Sequence, residues 1–241
     1  MIEDNIPSLG NEHGPASVPF RAYREAQTRA EEESEQRAEA EARAATDALT
    51  SLPNQGAFED FLTKEVLTAQ TEALEAHRRG EDYEPTLALL VLDITDFKNA
   101  NTYLLHQGAN EFLRALSDWL LSIFKRQDDI VGVPGRVGGD EFSVIIHMKP
   151  RELHPDGANK TQETLLEDFQ QYFEQEKDKF FETQPEKVRV LYEKKMLNLA
   201  VGISLWRPGQ DALSLFNDAD AKAYAQKKLQ HQEAKNKRYE N

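Results

Sequence analysis

Cysteine is absent from all 241 positions, which excludes disulfides, thiolate metal sites and a cysteine nucleophile. Long apolar runs are missing too. None approaches the ~20 residues needed to span a bilayer, and the first residues carry no signal-peptide pattern. A cytoplasmic chain without a membrane span is therefore expected. Basic residues are scarce relative to acidic ones: 29 Lys and Arg stand against 43 Asp and Glu, leaving a net charge of −14. That balance argues against nucleic acid as a partner, and an anionic nucleotide would need local lysines or a metal ion to offset the field. Hydrophobic residues, at 39%, suffice for one substantial domain with appendages.

Glycine and proline crowd the first 19 residues (Pro7, Gly10, Gly14, Pro15, Pro19), which reads as a flexible leader. From 20 to 46 the composition turns to Ala, Glu and Arg, with Glu25/Arg29 and Glu33/Arg37 at i,i+4 spacing. A helical stalk is expected there. Its apolar positions are mostly alanine, which leaves open a solvated single helix or a weak coiled coil joining two copies. Pro53 stops this stretch, Asn54 is a cap, and a helix follows from Gly56 to Arg79, closed by Gly80.

The run Thr86–Ile94 is almost wholly apolar and reads as a central strand buried on both faces. Asp93 stands at its end, either capping the next turn or serving a site at the sheet rim. A helix follows, with Phe112, Leu113, Leu116, Trp119, Leu120, Ile123 and Phe124 on one face. Two strands, Ile130–Val137 and Phe142–Met148, flank Gly138-Gly139-Asp140-Glu141. Paired glycines between β-prone segments predict a tight hairpin using positive φ. Acids at its tip are either a soluble turn or a rigidly placed cation site. Further on, Leu165, Phe169, Tyr172 and Phe173 mark a helix. Val188–Tyr192 and Leu197–Trp206 read as strands, and a last helix is expected from Asp211 to Lys228, with a frayed polar tail. The sum is an α+β domain over 47–235: a mostly antiparallel central sheet flanked by helices, behind the stalk, with 236–241 as tail.

Four segments in order carry a resemblance. Asp47-Ala48-Leu49-Thr50-Ser51-Leu52-Pro53-Asn54 is similar to the D-x-LT-x-L-x-N entry of the GGDEF family, the diguanylate cyclases. Asp93–Asn101 resembles D-x-D-x-FK-x-x-N, Gly138–Phe142 is the motif itself, and Ala219-Asp220 with Tyr224 and Lys227 resembles AD-x-A-L-Y-x-A-K. The resemblance implies a cyclase/polymerase-palm-like fold. It implies that two GTP condense to cyclic di-GMP and two pyrophosphates where two domains of a homodimer face each other. Mg²⁺ (or Mn²⁺) would be held by Asp93, Asp140 and the carbonyl of Ile94. Asp140 and Glu141 would be catalytic. Phe97, Lys98, Asn101, Asn110, Gly138, Gly139 and Lys227 would meet the substrate. Arg126 and Asp129 form an R-x-x-D that resembles an inhibitory product site, set farther than usual from the motif.

The chain departs from the pattern at several positions. Thr95 replaces the second acid of D-x-D, Thr102 the acid after Asn101, Leu105-His106 a Gly-His pair, and His231 a phosphate-binding arginine. Ala109-Asn110 replaces Gly-Asp. A carboxylate accepts from both guanine N–H groups, whereas an amide offers one acceptor and one donor, so guanine selectivity weakens. Three outcomes follow as alternatives: an active cyclase, a degenerate domain that senses nucleotide or cyclic di-GMP or binds a protein, or a cyclase of relaxed base choice.

Overall fold

The computed structural model describes residues 27–29, 33, 36, 40–42, 44–125, 130–148 and 161–239. The chain divides into two units, Met1–Ala44 and Ala45–Asn241. The described residues of the first are helical and exposed.

The second unit runs α1 (Gln55–Arg79), β1 (Leu87–Thr95), α2 (Phe97–Lys125), β2 (Ile130–Arg136), β3 (Glu141–Met148), α3 (Gln162–Glu182), α4 (Glu186–Glu193), β4 (Asn198–Leu205) and α5 (Ala212–Tyr239). Asn54 caps α1 by accepting from the Ala57 amide at 3.2 Å, and Gly80 ends it with φ 71°. The four strands form one sheet in the order β2-β3-β1-β4, every neighbouring pair antiparallel.

Alternation along the strands divides the core in two. Ala88, Leu90, Leu92 and Ile94 of β1 join Phe142, Val144 and Ile146 of β3 under α2, α3 and α4. Leu87, Leu89 and Val91 turn the other way with Ile145, beneath Phe58 and Leu62 of α1 and Leu215 and Ala219 of α5. By the same parity Asp93 and Thr95 fall on the α1/α5 face. So does Glu141, which pairs directly with Asp93 across the ladder. Gly202 of β4 brings α5 close: a Cβ there would stand 2.0 Å from the Ala219 carbonyl oxygen.

Three expectations need correction. Val188–Tyr192 is helical, as α4. Pro185 opens it, and Val188 and Leu191, three apart, both bury in the aromatic core. No strand can add at β4, because side chains of α5 occupy backbone groups on its outer edge. The closing helix does not stop at Lys228 but continues to Tyr239, since no Gly or Pro interrupts it. Finally, neither Gly138 nor Gly139 has positive φ. The loop between β2 and β3 is four residues long, and its glycines matter through space. A Cβ on Gly138 would lie 2.6 Å from the Glu141 carboxylate, whereas one on Gly139 would meet nothing within 4 Å.

Candidate active site

The hairpin loop is pinned from behind. The Arg136 guanidinium donates to the Gly139 carbonyl at 2.6 Å and to Asp47 Oδ1 at 3.0 Å. Asp47 also accepts from the Thr50 hydroxyl at 2.7 Å and the Thr50 amide at 2.9 Å. Burial works to raise the Asp47 carboxyl, but these hydrogen bonds and the arginine charge outweigh it, and its pKa is lowered. The Arg136–Asp47 pair therefore connects the entry segment to the motif. The sequence assigns no role to either residue, although Asp47 opens the entry segment of the resemblance and Arg136 lies two residues before the motif.

On the α1/α5 face the acids converge. The Asp140 carbonyl accepts from the Ile94 amide at 3.1 Å, so the loop is hydrogen-bonded to β1 next to Asp93. Burial, then the charge of Asp93, raises the Asp140 carboxyl above its ordinary value. Burial also raises Glu141, followed by the charges of Asp93, Asp140 and Asp220. Lys227 opposes both shifts and Arg136 that of Asp140, and Lys227 Nζ donates to Asp93 Oδ1 at 2.6 Å. Asp220, quoted in the closing segment without a role, thus adds to the same negative field. Among the described residues no three carboxylate or imidazole groups are gathered as a ready-made metal cage.

The other predicted site residues lie on α2. Phe97 is half-buried, its ring 6.5 Å from that of Phe112, and Lys98 and Asn110 are exposed. The Asn101 Oδ1 atom is buried with no hydrogen-bond partner among the described residues. Between Asn101 and Asn110 the helix breaks at Leu105, whose φ 61° and ψ 166° are not helical. His231 Nε2 lies 3.3 Å from Asp96 Oδ1, at the turn into α2. Arg126 and Asp129 lie outside the described residues. Among the described residues no helix is long and apolar enough to cross a membrane.

Comparison with known proteins speaks to the family and the fold. A family model described as diguanylate cyclase, GGDEF domain, matches residues 44–233. Diguanylate cyclase DgcP of Pseudomonas aeruginosa is 35% identical over 104 residues, which are 43% of this chain and 13% of that protein. An uncharacterized membrane protein of Staphylococcus aureus is 33% identical over 101 residues, 42% of this chain and 24% of that one. The chain thus spans only a minor part of these curated relatives. Among solved structures, the coiled coil and GGDEF domain of DgcB from Caulobacter crescentus, in complex with c-di-GMP, superposes with a TM-score of 0.62 at 21% identity. That match covers 86% of this chain and 93% of the other. The diguanylate cyclase SiaD of Pseudomonas aeruginosa, in complex with its activator SiaC, gives 0.52 at 19% identity, covering 87% and 68%. At these identities the superpositions speak for the fold. The family model covers residues 44–233, which include the Asp47 tether, the whole sheet and α5 as far as two residues past His231, so the chain belongs to the GGDEF family.

Proposed function

We propose that this chain is a diguanylate cyclase, condensing two GTP into cyclic di-GMP and two pyrophosphates. The observation that carries the reading is that Asp93, Asp140 and Glu141 stand within one another's electrostatic reach at the rim of the sheet, with Lys227 bonded to Asp93. Asp140 and Glu141, raised by burial and by the neighbouring acids, stand where a cation is favoured, and Lys227 already brings positive charge to Asp93. The donor set therefore fits a divalent ion: the Asp93 and Asp140 carboxylates with the Ile94 carbonyl are hard oxygen ligands of the kind Mg²⁺ (or Mn²⁺) takes. When bound, such an ion neutralises charge on the triphosphate and polarises the reacting phosphate.

The chain's own residues supply the rest. The open space at Gly139 and the backbone of the pinned loop leave room for phosphate oxygens at the hairpin. Lys227 and Lys98 contribute positive charge to a chain whose net charge is −14. Glu141 is placed to accept the proton of the attacking 3′-hydroxyl, and its raised pKa suits a base. The new 3′-O–P bond forms as the bond from the α-phosphorus to the pyrophosphate oxygen breaks, once for each nucleotide. The buried, unpartnered Asn101 Oδ1 supports its assignment to the base edge, together with Phe97 and Asn110. Because each domain would hold one GTP, two copies must meet, and the stalk at 20–46 is the segment proposed to bring them together. Arg126 and Asp129 remain the proposed inhibitory pair.

Incubating the full chain with GTP and Mg²⁺ and quantifying cyclic di-GMP tests the reading. Asp140→Ala should lower product at least about a hundred-fold. Equal product from the two proteins, or none from the parent, would refute it.

A further inference from the structure

Strand β4 is at the edge of the sheet, so one row of its backbone groups faces away from β1. Helix α5 satisfies that row with side chains. Gln230 Nε2 donates to the Leu199 carbonyl at 2.9 Å, the Val201 amide donates to Gln226 Oε1, and Lys222 Nζ donates to the Ile203 carbonyl at 2.6 Å. The spacings are commensurate. Two residues of strand advance about 6.7 Å, and four residues of helix advance about 6 Å, so positions 199, 201 and 203 meet 230, 226 and 222 in antiparallel register. The middle rung is braced again, since Gln226 Nε2 donates to Glu174 Oε1 at 3.1 Å and Glu174 pairs with the buried Lys177.

The ladder continues into the site. Gln230 Oε1 accepts from the Thr95 hydroxyl at 2.8 Å, so one amide ties α5 both to the β4 edge and to the end of β1. Two residues back on β1 and three back on α5, Asp93 holds Lys227. Asp93–Lys227 and Thr95–Gln230 are successive rungs between the same strand and helix. This also accounts for threonine at a position where the resemblance expects an acid. With Nε2 committed to Leu199, an acid at 95 would set a second acceptor against Gln230 Oε1.

From this geometry we infer that Gln226, Gln230 and Thr95 are positioning residues for Lys227, fixing where its ammonium group stands relative to Asp93. The inference rests on the cyclase reading for its catalytic consequence, but the placement of Lys227 does not. Gln230→Met removes both amide bonds while keeping length and helix propensity, Thr95→Val removes only the hydroxyl, and Thr95→Ser restores it. Each full-length variant is assayed in two ways. Product formation from GTP gives kcat and KM, and labelling of the Lys227 amine by a small acylating ester is read by peptide mass spectrometry.

Gln230→Met and Thr95→Val should each lower kcat/KM about ten-fold, mainly through kcat, with Thr95→Ser within about two-fold of the parent. Labelling of Lys227 should rise several-fold in the first two and not in the third. Unchanged Lys227 labelling in Gln230→Met and Thr95→Val would overturn the inference, whatever happens to turnover. So would raised labelling with full turnover, which would make the ladder structural alone. If the parent makes no product, the cyclase reading fails, and the labelling by itself decides whether the ladder places Lys227.

Discussion

The two halves of the candidate site are built differently. The half that would handle phosphate and metal stands on strands. Asp93 and Glu141 are cross-strand partners, the Asp140 backbone bonds to Ile94, and Arg136 holds the loop to Asp47. The half that would handle the base stands on the first turns of α2, where the backbone breaks at Leu105 between a buried, unpartnered Asn101 oxygen and an exposed Asn110. In the first half the backbone of each acid is held by the ladder or by the bond to Ile94, and the Asp93 side chain by Lys227 as well. In the second, a strained residue separates the two amides. The charge chemistry thus stands on a sheet whose register the core enforces, while the side that would meet the base stands on a broken helix.

Cutting the tether should have the largest effect. The Arg136 side chain is only 12% exposed and bridges the Gly139 carbonyl to Asp47. Arg136→Ala leaves two acceptors without their donor, costing about 2 kcal/mol of stability. It also frees the loop that carries Asp140, so product formation should fall about a hundred-fold. Comparing melting with turnover separates the two losses. Turnover near the parent's level in the folded variant would show that the loop needs no tether.

Next comes the base side. An aspartate at 110 restores an acceptor for both guanine N–H groups, so Asn110→Asp should raise the preference for GTP over ATP about ten-fold. A mixed GTP/ATP reaction with product analysis measures it. No change would mean that Asn110 does not face the base, and the contrast drawn above would then rest on Leu105 alone.

Opposite pKa shifts at the loop and its tether make a smaller, signed prediction. Burial and the Asp93 charge raise Asp140 above its ordinary 3.8, so the folded chain holds that proton more tightly than the unfolded chain does. Ionised Asp140 therefore costs stability at pH 7, and the cost fades as pH falls through the raised value. Asp47 is lowered, so its contribution is present above 3.8 and is lost as pH falls through its folded value. Asp140→Asn should accordingly raise the melting temperature at pH 7 by about 2 °C or more, and by nothing near pH 3. A gain independent of pH would point to some cause other than charge.

How much of this was legible in the sequence depends on the range of the interaction responsible. The near-unbroken apolar runs of β1 and β3 read as strands buried on both faces, but the pairing of Asp93 with Glu141 follows from the register, which only the fold sets. The caps of α1 could be read because Asn54 and Gly80 act within their own turn. Residues 188–192 read as a strand because β-branched residues recur locally, whereas Val188 and Leu191, three apart, bury together in the aromatic core from a helix. The motif glycines were recognised for the wrong reason. Chain geometry suggested positive φ, but the constraint is the Glu141 carboxylate beside Gly138. Asp47 opens the entry segment and Arg136 precedes the motif by two residues, yet only folding reveals that they bond to each other.

A melting effect of similar size isolates the backbone of the base side. Leu105, with φ 61° and ψ 166°, occupies a region that is essentially glycine's, at a cost of about 1–3 kcal/mol. Its side chain is 65% exposed, so burial returns little of that cost. The resemblance places glycine here, and the break in α2 is the conformation a glycine would adopt freely. Leu105→Gly should thus stabilise the chain, though greater freedom in the unfolded state subtracts about 0.4–1 kcal/mol. A rise of about 2–4 °C in melting temperature remains. Leu105→Ala supplies the control: it trims the same exposed side chain but keeps a Cβ, so the strain persists and the melting temperature should stay near the parent's. If alanine stabilises as much as glycine, the side chain is at fault and the break in α2 is unstrained. If neither does, α2 is continuous through 105 in solution, and the two halves of the site are equally well held.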